Sequence, residues 1–99
     1  MNKELEHQFV TELENNQTLV HNVCSLYTDD RDSHNDLFQE ITIQLWKAYP
    51  KFRGDSKFST WMYRVALNTA ITLYRKSKRR QQTRDYDSVI YKISAEQYD

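Results

Sequence analysis

A chain of 99 residues makes one domain at most, and a domain this short hides little more than half of the surface its unfolded form exposes. One glycine and one proline argue against a turn-rich β fold, no apolar run approaches the roughly 20 residues of a membrane span, and the acidic N-terminus lacks the basic start and apolar core of a signal peptide. The net charge of zero conceals a partition: residues 1–40 carry nine acids against Lys3 and Arg31, residues 41–84 carry eleven bases against Asp55, and the last fifteen residues are acidic again, which excludes neither a polyanion nor a basic partner.

The expected architecture is all-α, a compact array of three to four helices in a cytoplasmic protein. In chain order, Phe9, Leu13, Val20, Val23, Cys24 and Tyr27 follow the helical repeat and predict a first helix over residues 9–27. The polar run Asn15-Asn16-Gln17 marks a weak point where a break is expected, and residues 2–8 read as a short separate turn. Cys24 falls on the apolar face, where a small core residue is the plainer reading than a nucleophile. Alone in the chain it forms no internal disulfide, and no Cys/His pair has the spacing of a zinc site, so neither metal nor cofactor is expected.

Residues 28–33 read as a loop. Ser33 with Asp36 resembles a capping box opening a second helix that runs to about Ala48, with Leu37, Phe38, Ile41, Leu45, Ala48 and Tyr49 as its buried stripe. The other side carries Asp36, Gln39, Glu40, Ile43 and Lys47, a polar face with one apolar member of the kind a partner interface uses. The only proline and only glycine fall together in Tyr49-Pro50-Lys51-Phe52-Arg53-Gly54-Asp55-Ser56, a tight irregular loop.

Asp55 or Ser56 is the expected cap of a third helix, from about Lys57 to Arg79, whose core face is Phe58, Met62, Val65, Ala66, Thr69 and Leu73. A second stripe runs through Trp61, Arg64, Asn68, Ile71, Arg75 and Lys78 or Arg79. One face with an aromatic ring, an asparagine and several bases suits nucleic acid: bases meet phosphates, an asparagine pairs with a base edge and a ring stacks on an unpaired base. The alternative is that Trp61 belongs to the core while Arg64 and Asn68 are solvated. Six bases crowd into residues 75–84 with no acid among them. Residues 81–99 show little apolar periodicity beyond Val89, Ile90 and Ile93 and read as a linker or tail.

The run Asn35-Asp36-Leu37-Phe38-Gln39-Glu40, then Leu45-Trp46, then the continuous segment from Phe52 to Ala70 resembles region 2 of the extracytoplasmic-function sigma factors, within the sigma-70 family. The likeness joins three motifs in family-like order over residues 9–80. It implies a helical domain, residues 1–80, whose second helix docks on the β′ clamp helices of core RNA polymerase, with Asp36, Gln39, Glu40 and Ile43 at the matching positions. It implies that the loop before the last helix, Phe52, Arg53, Gly54, Asp55, Ser56 and Lys57, captures a flipped base of the promoter -10 element on the non-template strand. It further implies that Trp61, Arg64, Asn68, Arg75 and Arg79 face DNA along the last helix. An anti-sigma factor is a further candidate partner, and no membrane is involved.

Two departures carry consequences. Primary sigma factors have two adjacent tryptophans where this chain has Trp61 followed by Met62, which implies weaker unaided melting and stricter promoter choice. Nothing after Arg80 is long enough for the family's second, helix-turn-helix domain, so the chain is expected to be a fragment or a stand-alone relic, with residues 81–99 as the start of an interdomain linker. Three rival functions remain at this point. An enzyme finds no support, because His7, His21 and His34 show no paired spacing and no nucleophile lies near a base. A DNA-independent interaction domain would use only the acidic face, and a generic basic-helix DNA binder would need no polymerase.

Overall fold

The computed structural model describes residues 3–97, with side chains described through residue 92 except at 84–86. Arg84, the last base of the run 75–84, and Ile93 therefore lie outside the described side chains, as do the termini of the expected N-terminal turn and C-terminal tail. Among the described residues three helices follow one another, α1 (Lys3–Tyr27), α2 (Arg31–Ala48) and α3 (Phe58–Gln97), with a 3-10 turn (Tyr49–Lys51) closing α2. The all-α expectation holds.

α1 is one unbroken helix of 25 residues, so both the expected break and the separate N-terminal turn are corrected. Asn15 and Gln17 are exposed, and the Asn16 Nδ2 donates to the Glu12 carbonyl at 2.7 Å, so the polar run reinforces the turn it occupies. Without Gly or Pro, nothing there removes a backbone bond. Four of the six expected apolar positions, Phe9, Val20, Val23 and Cys24, are buried. Burial pushes the Cys24 thiol above its ordinary range, as befits a small core residue.

α2 starts earlier than the expected capping box would have it. Asp30 is the N-cap, in extended backbone; its Oδ1 accepts from the Ser33 amide at 2.8 Å and its Oδ2 from the Ser33 hydroxyl at 3.0 Å. Several residues of the 28–33 cluster can cap, and the earlier one adds a turn of helix without losing a bond. Leu37, Ile41 and Leu45 are buried as expected, with Phe38, Ala48 and Tyr49 half-buried.

α1 and α2 form an antiparallel hairpin. At one end the Phe9 ring lies 5.0 Å from Trp46 and 5.1 Å from Tyr49; at the other, His21 stacks on Phe38 at 4.4 Å and its Nδ1 shares a 2.9 Å hydrogen bond with the His34 Nε2. α3 packs on both helices. Met62, Ala66 and Ala70 are buried along it, and the Tyr27 and Tyr74 rings meet edge to face at 5.7 Å. The core is apolar throughout: among the described residues no polar or charged side chain is buried.

α3 is 40 residues long, against an expected end near Arg79. A helix of that length spans about 60 Å, and the molecule measures 68 × 24 × 23 Å, so the second half of α3 projects from the bundle. From Thr72 onward every described side chain is exposed. Apolar periodicity ends there, but residues 81–97 contain no Gly or Pro, so no stop signal ends the helix.

Asp30→Ala is expected to lower the melting temperature, whereas Asp30→Asn, which keeps a capping oxygen, should retain most of it. The Ser33 amide and then the Ser33 hydroxyl hold the Asp30 carboxyl below the ordinary carboxylate value. The stabilisation is therefore present above that ordinary value and disappears as pH falls through the depressed one; thermal melts of wild type and Asp30→Asn across acid pH should show the decline in the wild type alone.

Candidate functional site

The segment between α2 and α3 is built on aromatic rings. Pro50 occupies the start of the 3-10 turn, and the Phe52 amide donates to the Tyr49 carbonyl at 2.9 Å. The Tyr49 ring then lies 6.3 Å from Phe52, 6.0 Å from Phe58 and 6.2 Å from Trp61, while Phe52 and Trp61 approach to 4.9 Å. With Phe9 and Trp46 behind Tyr49, a continuous aromatic wall runs from α1 through the end of α2 to the start of α3.

This wall decides the orientation of the loop Phe52–Lys57. Phe52 is half-buried against it, whereas Arg53, Gly54, Asp55 and Lys57 are exposed and Ser56 is half-buried. Gly54 takes φ +77°, the left-handed region, and a Cβ there would meet no atom within 4 Å. The backbone conformation alone, not crowding, demands glycine. At the helix start the Lys57 carbonyl accepts from the Trp61 amide at 3.1 Å, and the Ser56 hydroxyl is turned to that same carbonyl at 3.4 Å. This corrects the expected Ser56 cap, because the hydroxyl is directed at an acceptor, and Asp55 is fully outside on the surface.

Along α3, Arg64, Asn68, Arg75 and Arg79 are exposed on the side away from the core, and Trp61 and Ile71 are half-buried at its edges. Trp61 thus satisfies part of each reading: one side packs on Phe52 and Phe58 and the other meets solvent. Met62, which follows Trp61 where the resemblance led to the expectation of a second tryptophan, is wholly buried in the core. The stripe is not uniform. Arg64 borders a groove toward α1 that includes Leu19 and Asn22, and Asn68 borders one toward α2 with Glu40 and Gln44. The Lys78 ammonium sits 5.5 Å from the Tyr74 ring centroid, while Arg79 shares a shallow hollow with Lys76 and Arg80.

On α2, Asp36, Gln39 and Ile43 are exposed, Ile43 at 46% of its surface, and Glu40 is half-buried and accepts from Gln44 Nε2 at 3.0 Å. Asp36 and Glu40 line a groove of about 410 Å³ whose other walls include Leu73 and Tyr74 of α3. Leu73, expected in the core, is 37% exposed there, because α3 leaves the hairpin at that level. Sequence reasoning missed this two-helix groove and the Tyr49 ring cluster. The aromatic spacing of Trp46, Tyr49 and Phe52 was a signal for the second.

The Sigma-70 region 2 model matches residues 13–80, which is most of the chain and all of the segment just described. The chain belongs to the sigma-70 region 2 family. This region 2 domain is similar to the ECF RNA polymerase sigma factor SigG of Mycobacterium tuberculosis, 37% identical over 70 residues, covering 71% of this chain and 18% of the relative. It is also similar to the ECF RNA polymerase sigma-E factor of Escherichia coli, 43% identical over 54 residues, covering 54% of this chain and 28% of the relative. The chain thus spans less than a third of the length of these relatives. No solved structure matches it significantly. Among the described residues no helix is long and apolar enough to cross a membrane.

Replacing Phe52 by alanine removes a half-buried ring with three aromatic neighbours, and should cost about 2 kcal/mol of stability, read as a lower urea midpoint. An unchanged midpoint would mean that the ring contributes nothing to the wall.

Proposed function

We propose that this region 2 domain acts in transcription initiation in the cytoplasm, docking on the β′ clamp helices of core RNA polymerase through α2 and recognising and opening the promoter -10 element through the loop and α3. It performs no catalysis of its own. The observation that carries the reading is the exposed side of α3, where Arg64, Asn68 and Arg75 stand free of the core in a helix whose other side supplies Met62, Ala66 and Ala70 to it. Residues 75–80 add Arg75, Lys76, Lys78, Arg79 and Arg80, all exposed and without an acid among them. Like charges on neighbouring turns repel by a few tenths of a kcal/mol per pair, a cost that a polyanion removes. Membership of the family and the likeness to two ECF sigma factors support the same conclusion.

In this reading the loop offers an extruded base the exposed polar groups of Arg53, Asp55 and Lys57 over an aromatic floor, with Gly54 providing the tight backbone. Phe52 supports the floor from below and Trp61 reaches its edge. Asn68 pairs with a base edge at the upstream end of the -10 element, Arg64 and Arg75 hold phosphates, and Arg79 extends the contact upstream. The acidic groove of Asp36 and Glu40, with Gln39 and Ile43 beside it, receives the polymerase. An anti-sigma factor would compete for the same face, and residues 81–97 lead toward the part of the sigma factor that reads the -35 element.

Reversing Asp36 and Glu40 together to lysine should reduce binding of purified core polymerase by at least about tenfold while the helical signal persists, since like charges across an interface cost several kcal/mol. Retained affinity would remove α2 from the docking surface, whereas a wild type that fails to bind core polymerase would favour a DNA binder that needs none.

Asn68→Ala should relax discrimination at one base pair of the -10 element by about 1 to 3 kcal/mol and leave affinity for unrelated DNA nearly constant. Arg75→Ala should weaken all sequences alike and lower the salt slope by about one. A binding series over every substitution in the -10 element, with core polymerase present, separates the two; a wild-type base preference in the Asn68 variant would end its role as a reader.

A further inference from the structure

Among the described ring contacts, Tyr49 alone links the helical hairpin to the loop. Behind it lies Phe9 of α1 at 5.1 Å; in front lie Phe52 at 6.3 Å, nearly parallel with an interplanar angle of 18°, Phe58 at 6.0 Å and Trp61 at 6.2 Å. Its backbone is equally committed, because its amide donates to the Leu45 carbonyl as the C-cap of α2 and its carbonyl accepts the Phe52 amide.

We propose that Tyr49 is a positioning residue for nucleic-acid recognition, holding the loop Phe52–Lys57 in its strand-receptive shape by acting through Phe52 and Trp61. The inference rests on the reading of that loop as the -10 single-strand site. Its physical basis is the loop's own poverty of constraints. Between the Phe52 amide and the start of α3, the described hydrogen bonds within the loop reduce to the long contact from the Ser56 hydroxyl, and Gly54 adds conformational freedom. The exposed residues 53–55 therefore inherit their position from the rings that flank them. Phe52 anchors one end and Phe58 with Trp61 the other, and Tyr49 is the ring that contacts all three. Phe9, only 4% exposed, backs Tyr49 from α1, so the site is braced by a helix distant in sequence. A pocket whose walls are held before the ligand arrives loses less ordering entropy on binding.

The test measures the preference of the full chain, with core polymerase added, for a single-stranded oligonucleotide carrying the tightest-binding -10 sequence over the same sequence as duplex. Tyr49→Leu keeps apolar volume but removes the ring, and should reduce that preference by about tenfold, as expected when several aromatic contacts are lost. Polymerase binding and the salt slope for duplex should stay at wild-type values, and Tyr49→Phe should keep the preference. Phe9→Leu, at a ring whose aromatic contacts are Trp46 and Tyr49, should lower the preference by roughly threefold, and it decides the matter if Tyr49→Leu fails to fold. A folded Tyr49→Leu variant with undiminished preference overturns the proposal, as does an equal loss for single strand and duplex, which would mark a merely structural role. If the wild type itself lacks a single-strand preference, the reading of the loop falls first and this proposal with it.

Discussion

Close packing of α3 against the α1–α2 hairpin is the constraint on which the rest of the structure depends. Met62, Ala66 and Ala70 follow one another at four-residue spacing, and the two alanines let the backbone of α3 approach Val20, Val23, Ile41 and Leu45, all of them wholly buried. Among the described residues eleven buried side chains make up this core, few enough that each one carries a sizeable part of the stability. Because the inner side of α3 is committed in this way, its outer side is determined as well: Arg64, Asn68 and Arg75 face solvent as a consequence of where Met62 and Ala66 go.

A second packing centre stands at the other end of the hairpin. Phe9, Trp46, Tyr49, Phe52, Phe58 and Trp61 form a chain of rings that are tilted or edge to face except for Tyr49 and Phe52, which lie nearly parallel at 6.3 Å. It compensates for the loop's lack of regular hydrogen bonding and leaves left-handed Gly54 on the exposed rim. The base-capturing role proposed for the loop draws on the same arrangement, since rigid rings beneath exposed polar groups suit a flat ligand.

At the opposite end, polar groups take over. The His21–His34 hydrogen bond, continued by the stack of His21 on Phe38, ties the two helices of the hairpin together, and the Asp30 cap closes the start of α2. Neither device needs a charged group in the interior. Charge is left to the surface, with Asp36 and Glu40 in a groove of α2 and α3, and the basic run on the projecting part of α3. Two surfaces of opposite sign on a domain of this size suit simultaneous engagement of a protein and of DNA.

The sequence by itself determined the helical class, the apolar stripes and the two charged surfaces, because each rests on local periodicity or composition: Val20, Val23, Leu37, Ile41 and Met62 are buried where the 3.6-residue repeat places them. It also marked the loop through Pro50 and Gly54 and, by resemblance, the family. Helix ends were less legible. Asn15-Asn16-Gln17 looked like a break and residues 81–97 like a tail, yet both are helical, since neither stretch contains a Gly or Pro to stop a helix that apolar patterning no longer supports. Only the tertiary structure decided what pairs of distant residues do together. It turned Phe52 toward the Tyr49 rings, divided Trp61 between core and solvent, opened the groove between Glu40 and Leu73, and brought His21 to His34. None of these follows from spacing along one helix, because each depends on how α1, α2 and α3 are set against one another by the side chains between them.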